Sequence, residues 1–90
     1  MRVVWDEPKR VSNLAKHGLD FADARDRLRF EDSVVVPSHP GPDGRRRFVA
    51  IGLLDGRLVT AVLAPLGSEA LALVSLRPAS RKERRIYEDA

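Results

Sequence analysis

Apolar spacing changes once along this chain, and the change divides it into a helical part and a strand part. Val3-Val4-Trp5 predicts a short strand. Asp6 follows as a helix N-cap, with Glu7 and Pro8 in the first turn and Gly18 as the stop after Lys16-His17. Within that helix Val11, Leu14 and Ala15 share one face, at i, i+3 and i+4. Asp20 then caps a second helix whose buried stripe is Phe21, Ala24 and Leu28, while Arg25, Arg27 and Arg29 point elsewhere. So short a link makes the two helices packed neighbours.

From Ser33 onward the pattern is that of strands. Val34-Val35-Val36 is a β-branched run ended by Pro37, and the segment from Pro37 to Gly44 has loop composition. Arg47–Leu54 and Arg57–Ala64 flank Asp55-Gly56, the signature of a tight hairpin whose turn needs positive φ. After a turn at Pro65-Leu66-Gly67-Ser68, Glu69–Arg77 predicts another strand. Strict alternation places Leu71, Leu73, Ser75 and Arg77 on one of its faces and Ala70, Ala72, Val74 and Leu76 on the other. Ser80-x-x-Glu83 is a capping box opening a last helix that ends near Glu88. The order is β-α-α-β-β-β-β-α, an α+β fold with helices on an antiparallel sheet. At 90 residues it is expected to be one domain, 1–90. Trp5, Phe21, Phe30, Phe48 and Tyr87 read as core, with Tyr87 the best candidate for a base contact.

Charge alters the picture by its placement. The net charge is only +3, but Arg45-Arg46-Arg47 carries +3 and residues 77–85 carry +4, leaving −4 on the rest. Thirteen of the sixteen cations are Arg, which suits planar contacts with phosphate or carboxylate. The chain has no Cys, so disulfides and thiolate zinc sites are excluded. No apolar run approaches the roughly 18–20 residues of a membrane span, and Met1–Asp6 lacks a signal peptide's apolar centre, so a cytoplasmic location is expected.

The residues available for chemistry are few. His17 and His39 stand 22 apart without a metal-ligand pattern, and neither a phosphate-binding glycine loop nor a nucleophile elbow is present. No metal or cofactor is expected. What remains is chemistry on phosphates, where cations offset the charge of a phosphodiester and RNA supplies its own 2′-OH nucleophile. His17, in the last helical turn, is a candidate acid or base, although such a His is more often simply a helix-end residue. Ser75, Arg77 and Arg81 gather at a strand end and helix start, where they could converge on a phosphate. The plainer reading makes Ser75 a tolerated small residue and Arg77 a solvated strand end. Arg81, Lys82, Arg84 and Arg85 form a basic helix on which Glu88 offers ordinary ion pairs to Arg84 and Arg85. Arg45 and Arg46 read either as anion contacts or as edge charges that oppose aggregation.

Taken together, these residues resemble the BrnT family of type II toxin–antitoxin ribonucleases. The matching string is Trp5-Asp6, Lys9, Asn13, Lys16-His17-Gly18, Phe21 and Ala24. It resumes at Arg47-Phe48 and Ile51-Gly52 and closes with Ser75, Arg77, Ala79-Ser80, Glu83-Arg84 and Tyr87. The resemblance implies a RelE-like fold and metal-independent RNA cleavage that arrests growth. It also implies a cognate antitoxin that neutralises the toxin and carries the DNA-binding function, so that DNA is met only through it. By position it makes Lys9, His17, Arg47, Ser75 and Arg77 catalytic candidates. Lys16, Arg45, Arg46, Arg81, Arg84 and Arg85 become RNA-binding candidates, and homo-oligomers or toxin–antitoxin hetero-oligomers are both open. Three positions depart from the family pattern. Arg45 and Arg46 replace acidic residues, Ala72 replaces an Arg, and Pro78 interrupts the link to the last helix. Ala72 favours a second reading, a degenerate toxin kept as an interaction module. A small nucleic-acid-binding protein is a third.

Overall fold

The computed structural model describes residues 2–90. The strands are β1 (Arg2–Val4), β2 (Val34–Ser38), β3 (Arg47–Leu54), β4 (Arg57–Leu66) and β5 (Ala70–Pro78). The helices are α1 (Glu7–His17), α2 (Phe21–Arg27) and α3 (Arg81–Glu88), with a single 3-10 turn at Phe30–Asp32. The element order and the α+β class are those read from the sequence. The sheet order is β1-β5-β4-β3-β2. All pairings are antiparallel except that of β1, which runs parallel to β5, so the sheet is mixed.

Local signals explain most boundaries. Asp20 accepts a hydrogen bond from the Ala22 N–H, and Ser80 and Glu83 close their capping box reciprocally. Asp55 and Gly56 both adopt positive φ, 51° and 80°, as a two-residue hairpin requires. Gly18 ends α1 in the left-handed region at φ 70°, returning its N–H to the Leu14 carbonyl. β2 runs through Pro37 to Ser38, one residue past the expected stop; as the outermost strand it has a free side for a residue without an N–H. Pro78 ends β5, and the Ala79 N–H bonds to the Leu58 carbonyl, so the link to α3 is made without a break.

The core lies between the sheet and the α1–α2 pair. Phe21, Ala24 and Leu28 pack, as expected, against Ala50, Leu54, Val59, Ala61, Leu63, Leu73 and Leu76. Trp5, Phe30 and Phe48 are partly buried at its rim, whereas Tyr87 lies elsewhere. α3 covers the opposite face, over Ile51 and Thr60, both fully buried.

Two sequence-based expectations are corrected. The apolar face of α1 does not turn inward: Val11 and Leu14 are 54% and 39% exposed, and the buried residue of the helix is Asn13. Strict alternation on β5 also fails. Ser75 pairs with Val62 and Leu73 with Leu63, a shift that leaves Val74 as an extra, bulged residue. Leu71, Leu73 and Leu76 therefore all serve the α1–α2 core, while Ser75 and Arg77 share the α3 face.

The inward position of Asn13 follows from the sheet edge. β1 pairs only with Ala70–Ala72, so the rest of β5 has no strand on its outer side. Asn13 fills that gap. Its side-chain amide donates to the Leu76 carbonyl at 2.8 Å, and its oxygen accepts from the Leu76 N–H at 3.1 Å. The same amide nitrogen donates to the Leu19 carbonyl. One side chain thus replaces a missing neighbour strand, which is why α1 presents a polar residue to the sheet.

Candidate active site

Anchoring α1 on β5 through Asn13 creates an open cleft of about 360 Å³ between them. Pro8, Lys9, Ser12, Asn13, Lys16 and His17 form one wall, and Val74 and Ser75 form the other. Lys9, Asn13 and Lys16 fall at i, i+4 and i+7, so the turn of helix that seats Asn13 also aims both lysines along the cleft. Neither lysine makes an ion pair among the described residues. The bulge at Val74 turns Ser75 to this edge.

A second cleft, of about 380 Å³, continues from the first and shares Lys9 and Val74 with it. Arg45 and Asp6 line it, with Trp5 at its border and Val4, Leu66, Ala72 and Leu73 beneath. Five candidate residues are therefore brought together: Lys9, Lys16, His17 and Ser75 in the first cleft, and Arg45 beside Lys9 in the second. Arg45 reaches this place from the turn before β3, where its backbone N–H donates to Asp43 and holds that carboxyl below its ordinary value, helped by the charges of Arg47 and Arg45.

The other candidates lie apart. Arg77 is committed to Glu83, its two terminal nitrogens donating at 2.6 and 2.8 Å. Glu83 also accepts from Thr60 Oγ1 and the Ser80 N–H. Chiefly through Arg77, its pKa is lowered to about 2. The anion expected at this strand–helix junction is thus the protein's own carboxylate. Arg47 opens β3, and its guanidinium packs against Gly41, with Nε buried and without a hydrogen-bond partner. Arg46 is exposed in the preceding loop. Arg81, Arg84 and Arg85 project from α3. Arg84 lines a separate groove with Arg57, Tyr87, Glu88 and Leu53. The expected ion pairs from Glu88 to Arg84 and Arg85 do not form among the described residues.

Sequence reasoning missed two positions. Asn13 entered only through a family motif, although a lone amide inside a helix is a signal for a backbone partner. The bulge was readable in β5's own spacing, since Leu71 and Leu73 are two apart but the next Leu, Leu76, is three on.

A family model described as the ribonuclease toxin BrnT of type II toxin–antitoxin systems matches residues 5–83. The chain belongs to the BrnT toxin family. Its fold is similar to the crystal structure of the Brucella abortus ribonuclease toxin BrnT, with a TM-score of 0.74. The two are 44% identical, over 90% of this chain and 99% of that one. None of the curated proteins matches it. Membership in this BrnT family implies an antitoxin protein as partner. No helix among the described residues is long and apolar enough to cross a membrane, and no three His, Asp or Glu side chains among them form a metal-binding group.

Proposed function

We propose that this BrnT-family protein cleaves RNA in the α1–β5 cleft, without a metal, by attack of the substrate's own 2′-OH. The observation that carries the reading is the convergence of Lys9, Lys16, His17 and Ser75 on one cleft, with both lysines free of carboxylates. In this reading the 2′-oxygen bonds to phosphorus as the bond to the 5′-oxygen breaks, giving a 2′,3′-cyclic phosphate and a 5′-hydroxyl. His17 takes the 2′-OH proton as general base, and a water molecule protonates the departing 5′-oxygen. Lys9 and Lys16 hold the phosphodiester and offset the charge that gathers on its oxygens in the transition state. The Ser75 hydroxyl donates to one of those oxygens. Arg45 extends the positive wall along the strand of RNA. Unopposed cleavage arrests growth in the cytoplasm until an antitoxin, which also supplies contact with DNA, binds the protein.

The test is cleavage of a labelled RNA by the purified chain, with and without EDTA. Cutting is expected to persist in EDTA. His17→Ala is expected to lower the rate by about 10²–10⁴-fold, the usual worth of a positioned acid or base. Cleavage that stops in EDTA, or that ignores both His17→Ala and Lys16→Ala, sinks the proposal.

A further inference from the structure

The cleft on the far side of Lys9 from His17 holds a carboxylate that the phosphate chemistry leaves unused. Asp6 occupies the N-cap position of α1 with extended backbone, φ −89° and ψ 123°, yet its side chain caps nothing. Asp20 and Ser80, at the corresponding positions of α2 and α3, both spend their side chains on the helix. Asp6 also enters no ion pair among the described residues. Its free oxygens line a cleft otherwise floored by apolar groups, with Arg45 as the other polar group beside Lys9.

We propose that this cleft is a nucleobase subsite that selects guanine, Asp6 reading the Watson–Crick edge and Arg45 the O6/N7 edge. The proposal rests on the reading that RNA is bound and cut at the neighbouring Lys9–His17 cleft. Lys9 and Val74 are common to the two clefts, so a base adjoining a phosphate held at Lys9 has this cavity within one nucleotide's reach. The cavity, about 380 Å³, falls within the ~300–1,000 Å³ span of small-ligand sites. An apolar floor with a few placed polar groups is how proteins hold an unstacked base. Ala72 contributes only a methyl group to the floor and leaves the space open.

Hydrogen-bond chemistry then chooses the base. A carboxylate only accepts. Guanine alone presents two adjacent donors, N1–H and the N2 amine. Adenine and cytosine place an acceptor beside their amine, and uracil flanks its one N–H with two carbonyls. Arg45 only donates, and guanine's O6 and N7 are the paired acceptors that a guanidinium matches. The carboxylate nearest to Arg45, that of Asp43, is 3.9 Å away, too far for a hydrogen bond. A carboxylate and a guanidinium in one cavity are thus complementary to the same base on two edges.

Trp5 is the only tryptophan and borders the cleft, so its fluorescence reports occupancy directly. Titration of the purified chain with GMP, IMP, AMP, CMP and UMP should show GMP binding at least about tenfold tighter than AMP, CMP or UMP. IMP, which lacks the 2-amino group, should fall between. Asp6→Ala should erase the advantage of GMP over IMP, Asp6→Ala combined with Arg45→Ala should level GMP with the others, and Ala72→Phe, which fills the floor, should abolish binding of all five. Cut RNA should carry guanosine at one fixed position beside the break. Equal binding of the nucleotides, absence of binding, or a GMP advantage over IMP that survives Asp6→Ala overturns the subsite. Failure of the ribonuclease reading shows differently: the GMP preference and its reduction in Asp6→Ala remain, and RNA stays whole.

Discussion

Asn13 shows how much a single side chain can carry in a chain this small. Its amide makes three hydrogen bonds in a buried position, two of them to the same backbone residue, Leu76. Asn13→Ala leaves the Leu76 N–H and carbonyl without partners, at a cost of about 2–4 kcal/mol. Urea denaturation should show that loss, together with faster hydrogen exchange at Leu76. Asn13→Asp should recover little, because a carboxylate can accept from the Leu76 N–H but cannot donate to either carbonyl. Gly18 is a milder case. It sits at φ 70° with open space around it, so Gly18→Ala costs only backbone strain, about 1 kcal/mol by the same measurement. Glu83 acts through pH. Its folded pKa of about 2 lies below the ordinary 4.5, so its contribution is complete above 4.5 and fades as pH falls toward 2. Glu83→Gln should remove that part of the acid-unfolding profile and lower stability at neutral pH. Arg77→Ala should do the same, marking Arg77 as the residue that fixes α3 to the sheet.

At the scale of elements, much was legible and the failures were instructive. The side-chain caps at Asp20 and Ser80, the Asp55-Gly56 hairpin and the apolar stripe of α2 follow from short-range rules and appear where the sequence places them, whereas Asp6 holds the N-cap position of α1 without a side-chain bond. The core face of α1 was not legible, because helical periodicity assumes an apolar neighbour. Here the neighbour is the bare edge of β5, whose needs are polar. The face of β5 was misassigned beyond Leu73 because one extra residue, Val74, reverses alternation from that point on. Part of the site was similarly hidden. Lys9 and Lys16 share a helical face that any reading could find, but Arg45 joins them only through the turn that precedes β3. Arg77, a candidate phosphate contact by its place at the strand end, is held instead by Glu83, a pairing that the sequence does not reveal. The bulge itself can be tested. Deleting Val74 restores alternation while Leu73, Ser75 and Leu76 keep their faces, and it removes the β5 residue that lines both clefts, so cleavage should fall while the helical circular-dichroism signal persists.

Over the whole molecule, the cations sort into paired and free. Arg10, Arg25, Arg27, Arg29 and Arg77 are held by carboxylates within 3.2 Å, whereas Lys9, Lys16, Arg57, Arg81, Lys82, Arg84 and Arg85 enter no ion pair among the described residues. Net charge therefore understates what an anion meets. Two groups stand out in the free set, Lys9 and Lys16 at the α1–β5 cleft and Arg81, Lys82, Arg84 and Arg85 on α3, while Arg2, Arg46, Arg47 and Arg57 lie apart on strands and a loop. If RNA follows the first, the salt dependence of RNA binding assigns the contacts. Lys9→Ala and Lys16→Ala should each reduce the slope of log K against log salt by about 0.7, the value for one phosphate of a single strand. Arg84→Ala should leave the slope unchanged.

The anchoring of α1 at one point fixes the phase of the whole helix. Lys9 lies four residues before Asn13 and Lys16 three after, so their directions are measured from the amide at Leu76 as numerals on a dial are measured from its pin. An alanine inserted between Arg10 and Val11 would leave the pin in place and swing Lys9 about 100° around the helix axis, out of both clefts, while Lys16 and His17 stayed. Side-chain identity in α1 is thus only half of what the site requires. The other half is a count of residues from Asn13, which no single substitution tests and one insertion does.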